Sequence, residues 1–154
     1  MVNDESTANP RREFLRKAVD VAELKGLEIG ALNDPLVRKE DIRAGGKIFY
    51  LDHLPTEGLC KKYETDPSIN VDNIVPVDFV CRDGNLVEAT AGNIFDYVVA
   101  SHVIEHTPNF LQFLIDIHKI LKPGGHLILI IPDKRFTFDV NRPITTFGEV
   151  LETF

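Results

Sequence analysis

The run Gly26-Leu27-Glu28-Ile29-Gly30-Ala31-Leu32-Asn33-Asp34-Pro35 decides how the rest of the chain is read. Leu27 to Gly30 is a short apolar strand carrying one acid, closed by an acid-x-Gly turn that feeds a helix. Asp34 suits the cap of that helix and Pro35 its first position, where no N–H is needed. Gly30 has no Cβ, so backbone and ligand can approach closely at the turn.

Upstream, Arg11 to Lys25 places Phe14, Leu15, Ala18, Val19 and Ala22 at helical spacing between cations, which predicts an amphipathic helix stopped by Gly26. It packs beside the sheet or covers the cleft above strand one. Residues 1–10 offer little to bury and are expected to be disordered, leaving 11–154 as one domain. Downstream, a short helix over Leu36–Ala44 leads to strand two, Lys47–Asp52. A helix over Thr56–Tyr63 presents Leu59, Cys60 and Tyr63 inward and leads to strand three, Ile74–Val80. Asp83-Gly84-Asn85 is a turn, and Phe95–Ala100 is strand four. Thr107-Pro108 opens a helix with Phe110, Leu111, Leu114, Ile117, Ile120 and Leu121 as its apolar stripe. Pro123-Gly124-Gly125 ends it. His126–Ile131 is strand five, apolar enough to be covered on both faces. Thr146 and Glu149 have the spacing of a capping box on a final helix. Alternating strands and helices mean an α/β, Rossmann-like, doubly wound parallel sheet, here in the order 3-2-1-4-5. Ligands of such sheets bind beyond the carboxyl ends of the strands. Gly30, Asp52, Asp83, Ser101 and Asp133 follow those ends.

The bulk numbers narrow the partners. In 154 residues, 44% hydrophobic and 27% charged is ordinary for a globular protein. A formal charge of −7 argues against nucleic acid or an anionic membrane held by bulk electrostatics. No apolar run reaches the ~20 residues of a membrane span. The N-terminus lacks a basic start and apolar stretch, and Cys60 and Cys81 read as reduced thiols, so the expected location is cytoplasmic.

Three features point to a nucleoside ligand. Glu28-x-Gly30 closes strand one. Asp52 ends strand two about twenty residues on, where a carboxylate can accept both hydroxyls of a ribose. Asp83-Gly84 follows strand three and can hold an adenine. Each acid has a plainer reading: Asp52 and Asp83 as turn formers, Glu28 as the partner of a lysine. A nicotinamide dinucleotide fits this far, so an NAD(P)-dependent oxidoreductase stays an alternative. The first turn, however, lacks Gly-x-Gly-x-x-Gly and carries Asp34, which disfavours a pyrophosphate.

Four stretches in this order carry a family resemblance: Leu27-Glu28-Ile29-Gly30, Tyr50-Leu51-Asp52-His53, Phe95-Asp96-Tyr97 through Ser101-His102-Val103-Ile104-Glu105-His106, and Leu121-Lys122-Pro123-Gly124-Gly125-His126-Leu127. They resemble the class I S-adenosyl-L-methionine-dependent methyltransferases of the type 11-like kind over roughly residues 26–142. The stretch Pro132 to Asp139 is similar to a branch linked to bacterial sugar and polysaccharide pathways. The resemblance implies methyl transfer from S-adenosyl-L-methionine to a small-molecule or glycan acceptor, with S-adenosyl-L-homocysteine as product. It puts Glu28, Gly30 and Ala31 by the methionine part, Asp52 on the ribose, and His53 and Leu54 beside the adenine. Asp83 takes the adenine amino group, with Gly84 and Asn85 beneath the ring. Ser101 and His102 line the methyl, and His106 faces the acceptor. His106, His102 and Asp133 are the candidate bases.

The family sheet has seven strands, so the chain reads as truncated after strand five, lacking the last two. A non-catalytic or truncated binding and assembly module is therefore a second alternative, with a homodimer through the exposed edge of strand five. The motif His102-x-x-Glu105-His106 also matches a zinc-peptidase signature, but it follows directly on a buried strand and no metal is expected. Phe136 and Phe138 suit an acceptor wall or edge packing, and Lys134, Arg135 and Arg142 an anionic acceptor or solvated loop charges.

Overall fold

The computed structural model describes residues 9–154. The disorder expected of residues 1–8 lies outside them, whereas Asn9 and Pro10 are ordered. Asn9 caps the first helix, its side chain accepting the Arg11 N–H at 3.0 Å.

Five parallel strands make one sheet in the order β3-β2-β1-β4-β5. They are β1 (Lys25–Ile29), β2 (Lys47–Asp52), β3 (Phe79–Val80), β4 (Phe95–Ser101) and β5 (Leu121–Ile130). The helices are α1 (Pro10–Ala18), α2 (Thr56–Tyr63), α3 (Leu86–Ala89), α4 (Phe110–Ile120) and α5 (Phe147–Glu152). The fold class and strand order are those expected, and α2 and the Thr146–Glu149 capping box fall where the sequence put them.

The period of two along the central strands sorts side chains onto two faces. Leu27, Ile29, Val98 and Ala100 pack with Phe95 against Phe113, Ile117 and Ile120 of α4. Tyr97, Val99, Tyr50 and Ile48 pack on the other face against Leu15 of α1 and against Leu36 and Val37. Phe49, Phe79 and Phe95 add an aromatic cluster, with Phe49 stacked on Phe79 at 5.3 Å and edge-on to Phe95 at 6.0 Å.

Several expected elements are corrected. The first helix stops at Ala18, with Val19 extended, because Asp20 turns the chain by accepting the Ala22 N–H at 3.1 Å. Phe14, expected on the apolar face, is 54% exposed, and Leu15 is the residue of α1 that is buried. Gly26 does not end that helix. It lies in β1, where a Cβ would sit 1.9 Å from the Tyr97 ring. No helix follows Pro35. Leu36 and Val37 give their N–H groups to Glu28, and only a single 3₁₀ turn forms at Lys39–Asp41. Strand three shrinks to two residues, since Pro76 has no N–H to offer and Asp78 takes the Tyr50 N–H by its side chain at 2.9 Å.

The α4 stripe runs through Phe113, Asp116, Ile117 and Ile120, with Phe110 exposed. The Pro123-Gly124-Gly125 segment belongs to β5, at a register shift opposite Phe95 and Tyr97. As an edge strand, β5 is half-buried over most of Leu127–Ile130 and not covered throughout. No described helix is long and apolar enough to cross a membrane.

Candidate functional site

The carboxyl ends of β1, β2, β3 and β4 open into a cleft of about 1130 Å³. Gly30, Asp52, His53, Asp83, Gly84, Asn85, His102 and His106 all line it, from four separate strand ends. A smaller cleft of about 220 Å³ adjoins it, lined by Glu28, Gly30, Ala31, Asp34, Ser101, His102 and Arg11. Gly30 and His102 border both. Gly30 adopts φ +70, and a Cβ there would come within 2.9 Å of Val103.

Glu28 does not face a lysine. It is 2% exposed, and its two oxygens accept the N–H groups of Leu36 at 2.7 Å and Val37 at 2.9 Å. The carboxylate therefore shapes the loop after β1 from inside. Burial pushes its pKa up to about 7, opposed by those two N–H groups and by Arg12. Asp34 caps no helix. It pairs with Arg11 at 2.6 Å and Arg12 at 3.0 Å, which ties α1 to the loop after β1. Arg11 also reaches Ser101 Oγ at 3.4 Å.

Asp52 ends β2 and is 9% exposed. Its Oδ1 accepts the His53 backbone N–H at 2.7 Å and lies 2.5 Å from His53 Nδ1. The other ring nitrogen is 3.0 Å from Lys62 Nζ. Asp83 accepts the Asn85 N–H at 3.1 Å, and Asn85 caps α3 through the Glu88 N–H at 3.1 Å. Asp83 is thus both a turn former and a cleft residue. Cys81 lines the same wall, and burial raises its pKa, so it stands there as a neutral thiol.

His102 adopts φ 57, a backbone conformation that costs a non-glycine residue energy and marks sites under constraint. Its N–H donates to Ile130 at 2.9 Å, and its Nδ1 lies 3.0 Å from Ser101 Oγ. His106 sits in a 3₁₀ turn, Ile104–His106, exposed toward the large cleft. The zinc-peptidase motif therefore lies on a strand end and a 3₁₀ turn and not on one helix face. Among the described residues, no three His, Cys, Asp or Glu side chains are grouped to hold a metal.

Leu54 and Asp133 line neither cleft. Asp133 is held by Arg135 at 2.5 Å, and that guanidinium lowers its pKa, which makes it a poor proton acceptor. The loop cations are engaged within their own segment: Arg142 pairs with Asp139 at 2.9 Å, and Lys134 donates to the carbonyls of Val140 and Arg142. The sequence reading missed Arg11, Lys62, Gln112, Asp116 and Lys119 as cleft residues. Helical spacing marks a side chain as polar but says nothing of the cavity it borders. The one signal was Asp116, an acid within the apolar face of α4, which is 3% exposed and accepts from Gln112 at 2.7 Å.

A parallel sheet in this order, with a single-glycine turn after its central strand and acids beyond its second and third, defines a Rossmann-like α/β domain. The chain belongs to the methyltransferase domain family, whose profile matches residues 8–149. It is similar to the ubiquinone biosynthesis O-methyltransferase of Rickettsia conorii, 25% identical over 117 residues, which cover 76% of this chain and 38% of that protein. The chain thus spans about two fifths of that curated relative. A SAM dependent methyltransferase from Aquifex aeolicus superposes with a TM-score of 0.57 at 15% identity, covering 91% of this chain and 71% of that one. The DszA carbon methyltransferase superposes with a TM-score of 0.52 at 22% identity, covering 80% and 36%. At those identities the superpositions speak for the fold.

Proposed function

We propose that the chain binds S-adenosyl-L-methionine across both clefts and serves its transfer of a methyl group to a small-molecule or glycan acceptor, in the cytoplasm. The observation that carries this reading is the convergence of Gly30, Asp52, Asp83 and His102 from four strand ends on one cleft. The donor set suits the ligand. Two carboxylates can accept from ribose and adenine, Gly30 leaves room beside them, and the turn after β1 has one glycine in place of the several a pyrophosphate needs. Asp52 would receive the ribose, His53 the edge of the adenine, Asp83 its amino group, and Gly84 and Asn85 the underside of the ring. Glu28, Ala31 and Ser101 would border the amino-acid tail in the smaller cleft, with Arg11 as the cation for its carboxylate.

When bound, the cofactor supplies an electrophilic methyl on a sulfonium. The protein's own work is to hold an acceptor in line with it and to take up a proton. His106 and His102 border the cleft where that proton would leave, and each imidazole has a ring nitrogen that can accept it. Asp133 ranks behind both, because Arg135 holds it outside the cleft.

Calorimetry and thermal shift with S-adenosyl-L-homocysteine test the proposal. Saturable binding with stabilisation is expected, and none with NAD(P). Stabilisation by NAD(P) alone would instead favour the oxidoreductase. A second reading, assembly through the outer edge of β5, is favoured by Ile131, Phe136 and Phe138, which are 57%, 84% and 84% exposed. Sedimentation analysis decides it: a monomer at all concentrations removes it.

A further inference from the structure

The short contacts at the end of β2 form a chain of three side chains, Asp52, His53 and Lys62, each of which lines the large cleft. An ammonium has donors only. With Lys62 Nζ at 3.0 Å from His53 Nε2, that nitrogen must accept, so the ring proton sits on Nδ1. Nδ1–H then donates to Asp52 Oδ1 at 2.5 Å, alongside the His53 backbone N–H at 2.7 Å. The fold brings the three together. Pro55 and the start of α2 turn the chain back on itself, and Lys62 arrives in the last turn of that helix, nine residues after His53.

We propose that His53 is a positioning residue for the ribose-binding carboxylate, with Lys62 fixing its tautomer, so that Asp52 meets the ligand through one oxygen only. This rests on the nucleoside reading of the cleft. Oδ1 already takes two donors and fixes the plane of the carboxylate, while Oδ2 takes no hydrogen bond from the described residues. The sequence alone suggested an acid free to accept two vicinal hydroxyls evenly. The relay makes recognition uneven, since one hydroxyl lies on the fixed Oδ2 and the other has at most a shared bond.

The test has two arms on the full chain. In the first, ¹⁵N NMR of His53 without ligand reads the tautomer directly. The wild type is expected to carry its proton on Nδ1, and the Lys62→Met, Asp52→Ala double variant, which lacks both partners, to drift toward the Nε2–H form that free imidazole prefers. A wild-type Nε2–H tautomer overturns the relay. In the second, binding of S-adenosyl-L-homocysteine and its 2′-deoxy and 3′-deoxy forms is compared by calorimetry. Wild type is expected to lose about tenfold on removal of one hydroxyl and under about threefold on removal of the other. His53→Phe keeps a ring but no donor, and is expected to weaken the parent ligand about tenfold and to level the two deoxy forms. His53→Asn keeps a donor near the Nδ1 position and is expected to restore the preference. Equal losses from both hydroxyls in wild type, or the same loss in Phe and Asn variants, would overturn the proposal. If the wild type bound no nucleoside at all, the ligand reading would fail while the NMR arm still decided the relay.

Discussion

The ends of β1 and β2 and the segment after β5 are built on opposite plans. At the first, two acids are held from outside their own strand or turn, Glu28 by the backbone of Leu36 and Val37 and Asp34 by Arg11 and Arg12 of α1, while His53 and Lys62 of α2 close on Asp52. At the second, charges pair within a few residues, Asp133 with Arg135 and Asp139 with Arg142, while Phe136 and Phe138 stand 84% exposed. The first region is preorganised by long-range contacts and so can hold a ligand without further ordering cost. The second is ordered locally and adds little to the fold. Substitutions should therefore be costly in one and nearly free in the other.

The largest effect is expected in the core on which the first region stands, at Phe95 of β4, which is fully buried within the aromatic cluster. Phe95→Ala should cost about 4 kcal/mol in urea unfolding. Glu28 comes next, through pH. Its folded pKa, about 7, lies above the model-compound value of 4.5. The folded state thus binds more protons than the unfolded one between those values, and stability falls as pH rises through that window. The loss is at most about 3 kcal/mol. Unfolding measured from pH 4 to 8 should show that slope in the wild type, and Glu28→Gln should lack it. At the same end of the sheet, Asp52→Ala should weaken S-adenosyl-L-homocysteine about 100-fold by calorimetry, with stability changed by less than about 1 kcal/mol. Smallest are Phe138→Ser and Asp133→Asn in the segment after β5. Each should stay within about 0.5 kcal/mol in stability, and Asp133→Asn should leave nucleoside affinity unchanged. A large effect of either would erase the contrast.

The same contrast explains what could be read in advance. Period-two apolar runs and strand-end acids are local signals, so the sheet order and the cleft positions of Gly30, Asp52, Asp83 and His102 were legible. The loop after β1 was not. Asp34-Pro35 carries a genuine helix-start signature, but Glu28, six residues earlier, takes the Leu36 and Val37 N–H groups that Asp34 would cap, and Asp34 turns to Arg11 and Arg12 instead. Gly26 read as a helix stop because nothing local reveals that Tyr97, seventy-one positions away, lays its ring across it. Asp133 read as a candidate base because it follows a strand. Its capture by Arg135 two residues on depends on a loop conformation that composition does not fix. Lys62 shows the limit most clearly. It was one of two adjacent lysines on α2, and only the turn at Pro55 brings it over His53.

The most direct test of nucleoside binding is a crystal structure of the wild-type chain soaked with S-adenosyl-L-homocysteine. The expected result is ligand density above Gly30 with one ribose hydroxyl on Asp52 Oδ2 and the adenine beside Asp83. Density confined to another surface, or a cleft filled by the protein's own side chains, would contradict it.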